Sequence, residues 1–236
     1  MEQTGATTFY LPSADYIWPH AMNAKVREVV GAHGGTVVGE EYHPMDHLDF
    51  GETVERIMDS GADVVFNTIV PPGLTPFLEA LHDAGFSKRG GQLVCTYFDE
   101  NFLNLVPAEH VEGLYGCLDY YRDLSDPFSA SLLADYDRRF QGSASFTAGS
   151  ACTGMYRGLR LWASAVTSAG SLDTETVVKA LDSATLAEAP GGPAEMVPGQ
   201  HHLRLNMYIA QAQAGEFKVV KELGRIDPKE CPGGCG

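Results

Sequence analysis

The stretch Ala62-Asp63-Val64-Val65-Phe66-Asn67-Thr68 decides the fold. Its three consecutive apolar residues show no alternation with polar ones, so they read as a strand covered on both faces. Strands of that kind belong to parallel sheets, whose crossover helices supply the two covers. Such helices are legible on either side. Phe50 to Ser60 precedes the strand and stops at Gly61, and Leu74 to Ala84 follows it and stops at Gly85. Further out, Thr36 to Tyr42 and Leu93 to Tyr97 read as the neighbouring strands, with Thr7 to Leu11 and Gly113 to Leu118 beyond them. A helix over Ala21 to His33, entered through Pro19 and ended by Gly34-Gly35, and a short one over Asp99 to Leu105 complete the series. The alternation predicts an α/β fold with a parallel sheet flanked by helices.

From Asp126 the pattern changes. Three helices, Pro127 to Phe140, Ser150 to Ala169 and Thr174 to Ser183, follow one another with no apolar strand between them. The stretch Tyr156 to Val166, with Leu159, Leu161 and Trp162, reads as a core-facing helix. Pro190 to Gly199 is rich in Gly and Pro. Leu203 to Ala210 and Phe217 to Leu223 then read as strands joined at Gly215. Amphipathic helices without strands of their own need a sheet to cover, and that sheet is expected before Met1.

Charge narrows the function. With 16 Lys and Arg against 31 Asp and Glu, the formal net charge is −15. That argues against nucleic acid and anionic membrane surfaces as partners, since both need clustered cations. No apolar run approaches the roughly 20 residues of a membrane span, so no membrane insertion is expected. Met1-Glu2-Gln3-Thr4-Gly5 carries no positively charged leader. A native start implies a cytoplasmic protein, and a removed leader implies an extracytoplasmic one. Cys231 and Cys235 lie in a Gly/Pro tail over 227–236, read as flexible.

In a parallel sheet, ligands meet the loops at the carboxyl ends of the strands. Those loops are Ser13-Ala14-Asp15-Tyr16, Tyr42-His43-Pro44, Asn67-Thr68-Ile69-Val70 and Thr96-Tyr97-Phe98-Asp99. They offer hydroxyls, amides and rings, which suit a small neutral polar ligand. His43, Asp46, His47 and Asp49 have the residue types of a metal site, but Pro44 interrupts them and they read as a solvated loop; His201-His202 reads as structural. No Gly-x-Ser-x-Gly elbow and no phosphate-binding glycine loop is present, so neither catalytic residues nor a cofactor are expected.

Several segments together resemble a known family. Ser13-Ala14-Asp15-Tyr16-Ile17-Trp18-Pro19 looks like a segment of type I periplasmic-binding-like proteins that bind urea or short-chain amides. Gly34 to Tyr42, His47-Leu48-Asp49-Phe50, Ala62 to Thr68 and Gln200-His201-His202-Leu203 are similar to the same family in the same order. The resemblance reaches to about Asp227 and lacks a first-lobe segment at the start. It implies that residues 1–120 form the core of the second lobe, 126–188 the helices of an incomplete first lobe, and 189–226 strands returning to the second. Hinges are expected at 119–125 and 190–199. Ligand contacts are expected from Tyr16, Ser13, Asp15, Thr68 and Tyr97, the last standing where relatives carry a smaller hydroxyl residue. The implied partners are a short-chain amide or urea and either an ABC permease or a regulatory protein. Exposed apolar helix faces would favour a homo-oligomer. Two other readings stand beside this one: an amide hydrolase, and a self-associating remnant without ligand affinity.

Overall fold

The computed structural model describes residues 1, 4–141 and 146–228. They form eighteen elements, of which one is a 3-10 turn, and they divide into two compact units. Unit 1 comprises Met1–Tyr97, Leu103–Gly116 and Ala212–Glu216; unit 2 comprises Phe98–Phe102, Cys117–Gln211 and Phe217 onward.

Unit 1 is the α/β layer. Its strands are β1 (Thr8–Ala14), β2 (Thr36–His43), β3 (Val64–Phe66), β4 (Gln92–Val94) and β5, which begins at Tyr115 and ends at Leu118. They lie in the order β2-β1-β3-β4-β5 and every pair is parallel. Between them run α1 (Ile17–Ala32), α2 (Gly51–Ser60), α3 (Leu74–Asp83) and α5 (Ala108–Val111). The intervening α4 (Glu100–Leu103) falls mostly in unit 2.

Val64, Val65 and Phe66 are all buried, as a strand covered on both faces requires. Alternation sends Val64 and Phe66 into one cluster with Phe9, Leu11 and Val30, against which Met22 and Val26 of α1 pack. On the other face Tyr10 donates its hydroxyl to Glu41, which also accepts from Thr53 (3.0 Å) and Arg56 (2.7 Å) of α2. Two guanidinium bonds and two hydroxyl bonds hold the Glu41 carboxyl down at about 2. Helix α1 stops where expected: Gly34 takes φ 75°, and the Gly35 N–H returns to the Val30 carbonyl at 2.9 Å.

Unit 2 contains α6 (Pro127–Arg139), α7 (Ser150–Ala169), α8 (Thr174–Leu181), β6 (Thr185–Leu186) and β7 (Ala194–Val197). It also holds most of β8 (His202–Gln213) and β9 (Glu216–Ile226). The pairs β6–β7 and β7–β8 are antiparallel, and β9 pairs with β8. Helices α6 and α8 begin as their sequences dictate. Asp126 accepts from the Ser129 N–H at 2.9 Å with Pro127 following, and Asp173 accepts from the Thr176 N–H at 3.0 Å.

Four readings need correction. Helix α1 begins at Ile17 rather than Ala21, with Pro19 inside its first turn. Strand β1 continues through Pro12 to Ala14, because the Pro12 carbonyl still accepts from the Thr68 N–H at 3.1 Å. The Gly/Pro-rich stretch contains β7, which pairs with β8 from Glu195 to Val197. Helix α7 spans Ser150–Ala169 as read, but only part of its apolar set is covered. Leu161 is buried, whereas Leu159 is 58% exposed and Trp162 50% exposed. Among the described residues no helix is long and apolar enough to cross a membrane. Cys231 and Cys235 lie outside the described residues.

Candidate functional site

The carboxyl ends of β1, β3 and β4 bring together most of the residues that the sequence singled out. The β3–β4 pairing sets Phe66 opposite Val94, so Thr68 and Thr96 each stand two residues beyond a paired strand end. Ser13 bridges to Thr68, which joins the loop after β1 to the same place. Backbone bonds fix that junction. The Ala14 N–H donates to the Thr68 carbonyl at 3.4 Å and the Asp15 N–H to the His43 carbonyl at 2.8 Å.

Three rings gather here. Tyr16 lies 6.1 Å from Trp18 at an interplanar angle of 36°, and Trp18 meets Tyr97 edge to face at 5.6 Å and 84°. Tyr97 is anchored through its hydroxyl, which donates to the Ile69 carbonyl. Burial raises its phenol well above the ordinary value, so it stays neutral. All three rings are half-buried and keep some surface open.

The polar groups at these strand ends fall into two sets. Ser13 is fully buried and its hydroxyl accepts from Asn23 Nδ2 at 2.8 Å, so it is engaged within the fold. Asn67 is equally internal: its Oδ1 accepts from the Ile69 N–H at 3.0 Å and its Nδ2 donates to the Ile69 carbonyl at 3.3 Å. Asp15 is exposed and paired with His20 at 2.8 Å. By contrast, Thr68 Oγ1 and Thr96 Oγ1 are buried with no hydrogen-bond partner. An unmade bond at a buried hydroxyl costs on the order of 1–3 kcal/mol. Two such groups at adjoining strand ends are what a site for a polar ligand provides.

Of the expected contacts, Tyr16, Thr68 and Tyr97 therefore lie with the ring cluster and the orphan hydroxyls. Ser13 is buried and engaged by Asn23, and Asp15 is held by His20. Sequence reasoning left Trp18 and Thr96 off the list of binding residues. The signal for Thr96 was its place in a strand-end loop, and Trp18 stood in the Ser13–Pro19 segment that carries the resemblance, but nothing in the sequence tells an engaged hydroxyl from an unengaged one.

The histidine loop is separate. His43 and His47 stack at 4.8 Å and 14°, with the Phe50 ring edge-on to both, beside a pocket also lined by Asp49, Glu52, Thr53 and Arg56. Burial lowers the His43 pKa, and His47 lowers it further. Among the described residues no three His, Cys, Asp or Glu side chains are grouped so as to hold a metal ion. His201 sits in the turn before β8 at φ 53°. Cys95, beside the site, is fully buried, and burial pushes its thiol up to about 12, which leaves it a poor nucleophile.

A model of the family described as periplasmic binding protein matches residues 1–216. A solute-binding protein of an ABC transporter from R. palustris, solved with 4-hydroxybenzoate, superposes with a TM-score of 0.81 at 24% identity, over 95% of this chain and 61% of its own. One from Rhodopseudomonas palustris BisB5, in complex with 3,4-dihydroxybenzoic acid, gives 0.82 at 23% over 97% and 62%. A leucine-binding protein from Thermotoga maritima gives 0.82 at 15% over 93% and 61%. The chain thus spans about three fifths of the length of these structures.

Proposed function

Since the chain belongs to the family of periplasmic binding proteins, we propose that it is part of a solute-binding protein for a small uncharged molecule, a short-chain amide or urea. The solute is held at the carboxyl ends of β1, β3 and β4. The observation that carries this reading is the pair of buried hydroxyls, Thr68 Oγ1 and Thr96 Oγ1, with no partner of their own. An amide or urea presents a carbonyl acceptor and N–H donors in one plane, the groups with which hydroxyls pair.

The role that fits is capture without chemistry. Tyr97 stays protonated and the Cys95 thiol stays neutral, so neither offers a base or a nucleophile. Two of the solved relatives named above are ABC-transporter solute-binding proteins that hold a hydroxylated benzoate, and the third is a leucine-binding protein, which supports delivery of a small solute to a permease. Enclosure of the solute would come from closure of two lobes around it.

The test is a thermal-shift series with urea, acetamide and propionamide. A saturable rise in Tm with at least one of them is expected, since a ligand that binds only the native state stabilises it by mass action. A Tm unmoved by all three up to high millimolar concentration contradicts the proposal.

A further inference from the structure

We infer that the amide captured here carries a flat conjugated ring, which lies against Trp18 within the Tyr16–Trp18–Tyr97 cluster. This rests on the amide reading above and concerns what the amide group is attached to. The cluster is built before any ligand arrives. Trp18 stands in the first turn of α1 beside the buried Pro19, and Tyr97 is tied through its hydroxyl to the Ile69 carbonyl. Trp18 is half-buried and meets edge to face, at 5.6 Å, the ring of Tyr97, the residue that follows Thr96 in the chain. A methyl group or a bare urea covers little of the open surface of Trp18, whereas a ring covers it and gains offset or edge-on contacts with the indole.

Charge points the same way. The strand-end loops 12–16, 43–47, 67–70 and 95–97 contain no Lys or Arg, and His43 and His47 stack on each other with Phe50 edge-on to both, so a carboxylate finds no permanent countercharge there. Their carboxylates are Asp15, paired with His20 at 2.8 Å, and the exposed Asp46, so an ammonium finds none that is free and sheltered. The arrangement selects an uncharged aromatic carboxamide over an aromatic acid or an amino acid.

The chain has two tryptophans, and Trp162 lies on an exposed face of α7 in the other unit. A Trp162→Phe variant therefore leaves Trp18 as the sole indole reporter. Benzamide, acetamide, benzoate and choline are titrated against it while Trp18 emission is followed. Benzamide is expected to bind about tenfold more tightly than acetamide, with a change in Trp18 emission, and about tenfold more tightly than benzoate. In Trp18→Leu, read by calorimetry, the advantage of benzamide over acetamide should disappear. Equal affinity for acetamide and benzamide overturns the ring and leaves the amide reading in place. Benzoate or choline binding as tightly as benzamide overturns the charge argument. Binding of none of the four overturns both the inference and the reading beneath it.

Discussion

In the unit built on β1 to β5 the sheet itself carries the core: Leu11, Val65, Ile57 and Phe77 are fully buried. In the unit built on α6 to α8 the largest fully buried side chain is charged. Arg157, 1% exposed, is clamped by Asp119 and by the Pro190 carbonyl at 2.8 Å. Asp119 also accepts from the Ser150 hydroxyl at 3.0 Å, and Asp99 accepts from the Ser150 N–H at 3.0 Å, so the start of α7 is held by polar bonds. Gly191 closes this clamp. Its φ is 74°, its N–H donates to Ser129 Oγ at 3.0 Å, and a Cβ there would stand 2.3 Å from the Asp119 carbonyl. One apolar cluster of the same unit is small, with Leu161, Ala184, Met196 and three half-buried leucines, and the buried rings of Phe98, Tyr121 and Phe217 meet elsewhere in it. Unit 1 leaves the Thr68 and Thr96 hydroxyls unpaired at its strand ends. Unit 2 engages Arg157, Asp119 and Ser150 with one another and leaves one helix face, Met155, Leu159 and Trp162, exposed.

The largest expected effect tests that contrast. Asp119→Ala strands the Arg157 charge in the interior and should destabilise unit 2 by about 3–5 kcal/mol, whereas replacing both partners by Leu and Met should cost much less. Guanidinium chloride denaturation of the single and double variants measures this. A single variant that costs no more than the double one breaks the claim that the pair holds unit 2.

Acidification should move the two units in opposite directions. His43 in unit 1 has a lowered pKa because burial disfavours its charged form. The unfolded chain then binds the proton more readily, and stability is lost as pH falls below the ordinary value of about 6.5. The Glu41 contribution persists through this range, since its pKa is lowered to about 2 from 4.5 and it is lost only between those values. Glu100 in unit 2 is buried with Oε2 lacking a partner, and burial raises its pKa. Its penalty is present above the unfolded value and is relieved as pH falls through the raised one. Hydrogen exchange between pH 7 and about 5, corrected for intrinsic rates, should show β1–β3 losing protection and α7 gaining it. The gain should vanish in Glu100→Gln. Parallel loss in both units breaks the contrast.

The smallest stability effect belongs to the uncovered face of α7. Leu159→Lys should change stability by less than about 0.5 kcal/mol, because the side chain is already exposed. It should nevertheless reduce any concentration-dependent association seen by sedimentation. Wild-type protein that is monomeric at every concentration shows that the stripe does not drive self-association.

Much of unit 1 was legible because one physical signal dominates it. The unbroken Val64-Val65-Phe66 run, the stops at Gly34, Gly61 and Gly85, and the alternation of strand and helix all point to one sheet. Less of unit 2 was legible. Its β7 strand sits among Gly and Pro residues and exists through its pairing with β8, a non-local term that no window of sequence contains. Arg157 reads as one more polar residue on an amphipathic helix; only the fold shows that Asp119 and Pro190 surround it. The site divides in the same manner. The strand-end loops are readable from the alternation, but Ser13 and Thr68, both hydroxyls and both fully buried, differ only in that Asn23 reaches the first.

That difference gives the most direct measurement. Acetamide, propionamide and benzamide are titrated calorimetrically into the wild-type chain and into the Thr68→Val and Thr96→Val variants, which keep the shape and remove each hydroxyl. The account predicts saturable binding by at least one amide, weakened about tenfold by either substitution with the fold intact. Binding that is indifferent to both substitutions, or absent from the wild-type chain, contradicts a ligand site at the strand ends of unit 1.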